Sequence, residues 1–279
     1  MLPKVNSPTS EGMNLLPEDV KKLKVGDIKV LLGQEVVDQD ILTYIRQDER
    51  TSVQKLVASY DKRQEKMRQE YERIHAMYDY EGIYYRQGIM QVAGVDEVGR
   101  GPIAGPVTVA AVILPPYTFI SGLNDSKKLS EKKREELYDQ IMDLALAVSC
   151  VSYDRHKIDA LNIYEATRQA MYEAVSTLSV PAEAVMVDAM KLPDLTCPVE
   201  SLVKGDAKSA NIAAASIIAK VTRDRYMKDM DKEYPGFGFA IHKGYYTELH
   251  KEALINQGIT PLHRRSFEPI KSMVKGLED

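Results

Sequence analysis

Apolar positions recur at two spacings along the chain, and the spacing changes near residue 87. Before it, they fall at helical intervals. Val53, Leu56, Val57 and Tyr60 line one face of a segment spanning 48–77, the i, i+3, i+4, i+7 signature of an amphipathic helix. Pro17, Glu18 and Asp19 ahead of Val20 predict an earlier helix start, with acidic residues in its first turn. Gly26 and Gly33 are expected to break that helix. Residues 62–73 mix both charge signs, which predicts a solvated helix face and not a basic patch.

Beyond residue 87, short β-branched runs bounded by turn residues predict five strands, at 90–96, 107–114, 145–153, 184–187 and 199–203. Helices are expected over 130–144, with Leu137, Ile141 and Leu144 on one face, over 162–178, with Ala166, Ala170 and Ala174 in register, and over 206–232. Ile212, Ala215, Ser216 and Ala219 give the last of these a face of mostly small side chains that can lie close to a sheet. Two shorter helices are expected to end the chain. The first three strands leave no room for full helical crossovers, which predicts antiparallel pairing; the later ones alternate with helices. The fold class expected is α/β, a mixed sheet covered by helices. Residues 1–13, rich in Pro, Ser, Thr and Gly, are expected to be a disordered leader, 14–85 a helical N-terminal extension, and 86–279 the α/β domain.

Composition narrows the setting. The chain has 279 residues, 44% hydrophobic and 28% charged, as ordinary globular proteins do. No apolar run reaches the ~18 residues of a membrane span. Two cysteines, Cys150 and Cys197, cannot build a disulfide framework or a four-cysteine zinc site, so a reducing, cytoplasmic location is expected. The net charge of −4, from 37 basic and 41 acidic residues, excludes nucleic-acid binding through overall charge alone. Positive charge would have to be concentrated locally.

The densest chemistry lies at 94–106, where an apolar strand ends in Asp96 and Glu97 and enters a loop with Gly99, Gly101 and Gly105. A dinucleotide-binding loop would need a helix to start within it. Pro102 and Pro106 punctuate this loop and a strand follows, so that reading fails. The glycines could equally make a tight turn, with Asp96 bonding its own backbone. Asp188 follows the strand 184–187, where α/β folds place their sites, though an aspartate there is also a common turn residue. Asp206 opens the long helix and could be its N-cap. Were Asp96, Glu97, Asp188 and Asp206 to form one cluster, their repulsion would call for cations. All-oxygen donors favour Mg²⁺ or Mn²⁺, the usual basis of two-metal phosphodiester chemistry. Asp96 and Glu97 are neighbours, and neighbours in a strand point to opposite faces, so the strand is expected to bend or end there, with Gly99 as the means.

Asp96-Glu97-Val98-Gly99-Arg100-Gly101, Asp125-Ser126-Lys127-Lys128-Leu129-Ser130, Lys204-Gly205-Asp206-Ala207-Lys208-Ser209 and His242-Lys243-Gly244-Tyr245 stand in the order seen in bacterial ribonuclease HII. The resemblance covers about residues 86–279, and the N-terminal extension resembles that of Gram-positive members. It implies an RNase H-like fold with a mixed five-stranded sheet. It also implies a metal-dependent endonuclease, a type II ribonuclease H, that hydrolyses the RNA strand of RNA–DNA hybrids. Such an enzyme cuts 5′ of single ribonucleotides in duplex DNA, leaves 3′-hydroxyl and 5′-phosphate ends, and serves ribonucleotide and RNA-primer removal in DNA repair and replication. It places Mg²⁺ or Mn²⁺ on Asp96, Glu97, Asp188 and Asp206, the catalytic carboxylates. A monomer is expected, with no membrane partner. Tyr246 stands where the family often has glycine, a departure that touches local loop detail.

With that resemblance, roles follow for the remaining residues. RNA differs from DNA locally by its 2′-OH, and Gly99 and Gly101 would let the backbone approach it, with Arg100 adding contacts to sugar or phosphate. Tyr245 resembles the family's junction-reading tyrosine, packing on the deoxyribose 3′ of the ribonucleotide. Ser126, Lys127, Lys128, Lys208 and Ser209 are candidate phosphate contacts. His242 and His263 are expected to make structural hydrogen bonds. A silent binding protein would not need four carboxylates beside phosphate, and another phosphotransferase would not need the Gly-Arg-Gly loop with Tyr245. Residues 14–85 contain none of these groups, so a chain cut back to near Tyr84 is expected to keep its chemistry.

Overall fold

The computed structural model describes residues 19, 22–34 and 36–278. The expected leader at 1–13, and Pro17, Glu18 and Val20 of the expected first helix, lie outside them. The chain divides into two compact units, 1–70 and 71–279.

The first unit holds helices α1 (Val25–Leu31), α2 (Gln39–Arg46) and most of α3 (Thr51–Ala76). Ile28, Leu32, Leu42, Ile45, Val53, Val57 and Tyr60 close a small core among them. Gly26 does not break a helix: it lies in the first turn of α1, where Asp27 accepts a hydrogen bond from the N–H of Lys24 and backbone donors lack helical partners anyway. Gly33 follows the helix end, as expected. Residues 62–70 of α3 are largely exposed.

The second unit begins within α3 and continues through α4 (Glu81–Tyr85), β1 (Val92–Val98), β2 (Val107–Ile113), α5 (Glu131–Leu144), β3 (Ala147–Tyr153), α6 (Arg155–Leu161), α7 (Ile163–Ser176), β4 (Ala184–Asp188), β5 (Val199–Leu202), α8 (Ala210–Glu233), α9 (Phe239–His242), α10 (Glu248–Gln257) and α11 (Ile270–Glu278). The sheet order is β3-β2-β1-β4-β5. β1, β2 and β3 pair antiparallel, and β4 and β5 run parallel to β1. This is the mixed five-stranded sheet that the sequence predicts. Three helices follow α8, one more than expected, because α9 is a single turn.

Alternation along β1 sorts its side chains. Val92 packs with Ala110, Val112, Met186 and α8 on one face, while Ala93 and Val95 pack with Val109, Val187 and the alanines of α7 on the other. α8 lies so close to the first face that a Cβ on Gly94 would fall 2.1 Å from the carbonyl carbon of Asn211. Bare backbone at Gly94 is therefore a condition of the layer spacing. Ile74, Met77, Tyr78 and Tyr85 fill the same core as α8, so the core of the second unit reaches further back along the chain than residue 86.

Candidate active site

β1 stays paired with β2 through Val98, opposite Thr108, but its pairing with β4 stops at Val95–Val187. The strand thus neither ends nor breaks at Asp96 and Glu97, as the sequence suggested it must. Instead β4 ends one residue beyond that pairing, at Asp188, so Asp96 and Asp188 stand at the carboxyl ends of two adjacent parallel strands. Asp96, opposite Ala110, lies on the α8 face; Glu97, opposite Val109, lies on the other. Asp188 is the last residue of β4. Its Oδ1 accepts the N–H of Gly205 at 2.8 Å, which fastens to the strand end the short 3-10 turn Gly205–Ala207 carrying Asp206.

The four carboxylates share one electrostatic environment. Burial, then the charges of Glu97, Asp188 and Asp206, hold Asp96 well above the usual carboxylate range. Glu97 is raised by burial and by Asp188, against the pull of the Arg100 guanidinium, which stands 3.2 Å from its Oε1. Asp206 is raised by burial, by Asp125 and by Asp188. The one nearby cation paired to Asp206 is Lys127, with Nζ 3.7 Å from Oδ2. Glu97 Oε2 is buried without a hydrogen-bond partner. An all-carboxylate donor set, mutually repelling and with one orphaned oxygen, fits a hard divalent cation. Among the described residues no group of three or more His, Cys, Asp and Glu forms a ready-made metal cage.

Asp206 is not the helix N-cap. α8 starts four residues later, with Ser209 as cap: its Oγ accepts the N–H of Ile212 and donates to Glu81 Oε1 at 2.5 Å. Glu81 Oε1 also accepts from Asn211 N, and Ala210 N donates to the carbonyl of Met77. These partners satisfy donors that a helix start leaves open, and the carboxylate favours the positive end of the helix dipole. Ser209 is therefore withdrawn from the phosphate contacts, since its hydroxyl is fully buried and engaged. Ser126 is also buried, its N–H on Ser216 Oγ and its carbonyl on Arg134 Nη1, so it anchors its turn and does not face a substrate. Lys127, Lys128 and Lys208 are exposed.

The Gly-Arg-Gly loop and Tyr245 meet in space. A Cβ on Gly101 would have as its near neighbour Tyr245 Cε1, at 3.4 Å, and Arg100, Gly101, Tyr245 and Tyr246 are all exposed. Gly99 differs from Gly101. It is buried, its φ is +89°, and a Cβ there would strike Arg223 Nε at 2.2 Å. Its lack of a side chain serves the loop's own packing, whereas Gly101 is exposed.

Behind Tyr245 lie three buried histidines. His250 Nδ1 bonds the Tyr245 carbonyl at 2.9 Å and its Nε2 meets His263 Nε2 at 2.9 Å. His242 stacks on His250 at 4.3 Å between centroids, its Nδ1 accepting the N–H of Gly244. Burial, foremost, pushes His250 and His263 down to about 4, so they serve as neutral hydrogen-bonding struts. Sequence reasoning missed Glu81, Arg223, His250 and Arg264, and quoted Asp125 within its motif without a role. Arg223 alone left a signal: it continues the Ala215–Ala219 stripe by one more i+4 step.

Two family models match the chain, Ribonuclease HII over 93–270 and the Ribonuclease HII N-terminal domain over 24–85. The chain is 48% identical to a ribonuclease HII of Geobacillus kaustophilus over 93% of its own length and 99% of that protein's. It is 52% identical to one of Bacillus cytotoxicus over 82% of its length and 88% of that protein's. Among solved structures, ribonuclease H2 from Pyrococcus horikoshii superposes with a TM-score of 0.58 at 26% identity, covering 68% of this chain and all of that one.

Proposed function

The chain belongs to the ribonuclease HII family and is a type II ribonuclease H, and from that premise we propose how it acts and with which residues. It hydrolyses the RNA strand of RNA–DNA hybrids and cuts 5′ of a lone ribonucleotide in duplex DNA, leaving 3′-hydroxyl and 5′-phosphate ends. The observation that carries this reading is the carboxylate group at the ends of β1 and β4, where Asp96, Glu97 and Asp206 are each raised by burial first and by the neighbouring charge of Asp188 among others. These four would hold two Mg²⁺ or Mn²⁺ ions, which when bound supply an activated water and neutralise charge developing on the leaving oxygen.

The chain's own groups do the rest. Gly101 and Arg100 present backbone and guanidinium to the ribose, and Tyr245, 3.4 Å from the Gly101 Cβ position, packs on the next sugar. A 2′-OH on that second sugar would crowd the ring, which favours an RNA-to-DNA junction. Lys127, with Lys128 and Lys208, meets the phosphates near the acidic group. Among the described residues no helix is long and apolar enough to cross a membrane; the reading extends to a monomer in the cytoplasm that serves ribonucleotide and primer removal.

Asparagine at Asp96, Asp188 or Asp206, tested one at a time, keeps shape and removes charge. Each is expected to lower the rate of cutting by orders of magnitude, since ~1.4 kcal/mol is a factor of ten, while hybrid binding persists. Near-normal turnover by any of the three in Mg²⁺ would remove that residue from the site.

A further inference from the structure

Arg223 on α8 and Arg264, between α10 and α11, are the largest fully buried side chains among the described residues, 1% and 0% exposed. Among the described residues neither forms an ion pair. Asp224, next to Arg223, pairs instead with Lys220 and Arg134. Each guanidinium gives three hydrogen bonds, all to main-chain carbonyls. Arg264 bonds Gly105 at 3.0 Å through Nε, Arg100 at 2.9 Å through Nη1 and Gly99 at 2.5 Å through Nη2. Arg223 bonds Pro106 at 2.8 Å, Ala104 at 3.2 Å and Lys243 at 2.9 Å. Five of the six acceptors thus lie between Gly99 and Pro106. The sixth precedes Gly244, whose carbonyl takes the N–H groups of Ile103 and Ala104 and whose neighbour is Tyr245.

Burying a charge without a counter-ion is expensive, and apolar side chains would pack a turn at lower cost. What a rigid, planar guanidinium adds is direction: it fixes where each carbonyl points. In a trans peptide the N–H points opposite to the C=O. With the Gly99 and Arg100 carbonyls turned inward onto Arg264, the N–H groups of Arg100 and Gly101 are turned away from it. The exposed side of the loop, where Gly101 neighbours the Tyr245 ring, is the side they can reach.

We propose that Arg264, backed by Arg223, is a positioning residue that aims the Arg100 and Gly101 amides at the ribose 2′-OH and so sets the preference for a ribonucleotide over a deoxyribonucleotide. This rests on the reading of the Gly-Arg-Gly loop as the 2′-OH contact. Arg264→Lys keeps the charge and loses the three-way fork. The readout is KM for a DNA duplex with one ribonucleotide against Ki for the sequence-matched all-DNA duplex as competitor. In the parent, Ki should exceed KM by about tenfold or more, the worth of one or more hydrogen bonds. In Arg264→Lys that ratio should fall about tenfold through KM, with Ki unchanged. A folded Arg264→Lys protein that keeps the parent ratio overturns the proposal. A parent ratio near one overturns the 2′-OH reading itself, a distinguishable failure. Should the lysine variant not fold, backbone relaxation of the parent decides. Amides of Arg100 and Gly101 as rigid as those of β1 before any duplex is added support the proposal; a loop ordered only by substrate overturns it.

Discussion

Asp96 is held where its charge is least welcome, buried beside three other carboxylates. Removing that charge should therefore stabilise the protein when no divalent cation is present. Asp96→Asn can still accept the Glu97 N–H that now bonds Oδ1 at 2.8 Å, so a gain of ~1 kcal/mol, about 2–4 °C in melting temperature for a domain of this size, is expected alongside lost cutting. Thermal denaturation in chelator checks it, and a less stable variant would contradict it. Glu81 supplies a pH test away from the carboxylate group. Burial, its largest influence, raises it to about 6, and its Oε2 lacks a partner. A carboxylate raised in the folded state binds protons there that the unfolded chain does not. Its ionisation therefore costs stability as pH climbs from about 4.5 through 6. Glu81→Gln should leave melting temperature near the parent's at pH 4.5 and raise it at pH 7.5; melting curves at both values decide. Asp96, Glu97 and Asp188 were legible as charges interrupting apolar strands. Glu81 was not, because its partners Ser209 and Asn211 lie 128 and 130 residues away.

Strand β1 shows how an element can satisfy two demands that seemed exclusive. Sequence reasoning required it to bend or stop so that adjacent carboxylates could share a site. The strand runs on beside β2 past the point where β4 ends at Asp188, which no pattern within β1 reveals. The start of α8 was misplaced for a similar reason: Asp206 has the chemistry of a cap, but the Gly205–Ala207 turn intervenes and Ser209 takes the role. The glycine loop yields a prediction that separates packing from recognition. Gly99→Ala must overcome both a left-handed backbone and a 2.2 Å approach to Arg223, and should cost at least ~2–3 kcal/mol of stability. Gly101→Ala meets only the Tyr245 ring at 3.4 Å. It should fold within ~1 kcal/mol of the parent, yet cut a single-ribonucleotide duplex at least about tenfold less well. Chemical denaturation and initial rates on both variants distinguish them, and equal stability losses would contradict the division.

On the scale of the molecule, the mixed sheet was legible because strand-length and helix-length apolar runs alternate in order. The inner limit of the catalytic unit was not, because the partners of Ile74, Met77, Tyr78 and Glu81 lie far along the chain, on β1, β2 and α8. All four are buried, which moves the shortest active chain from the expected start near Tyr84 back to the unit boundary at Tyr71. Losing several core side chains at ~2–5 kcal/mol each exceeds what a domain stable by about 5–15 kcal/mol can tolerate. A chain starting at Tyr71 should fold and cut the same bond; one starting at Tyr84 should not fold, as circular dichroism and a cleavage assay would report. A cooperative melt from the Tyr84 chain would show that those side chains are dispensable.

The central claim is that the carboxylate group at the ends of β1 and β4 cuts nucleic acid where a 2′-OH is read beside it. Its most direct test is an end-labelled DNA duplex with one internal ribonucleotide, incubated with the protein in Mg²⁺ beside the same duplex made wholly of DNA. A single cut on the 5′ side of the ribonucleotide, leaving a 3′-hydroxyl and a 5′-phosphate, with the all-DNA duplex intact, is the predicted result. Equal cutting of both duplexes, or of neither, would contradict it.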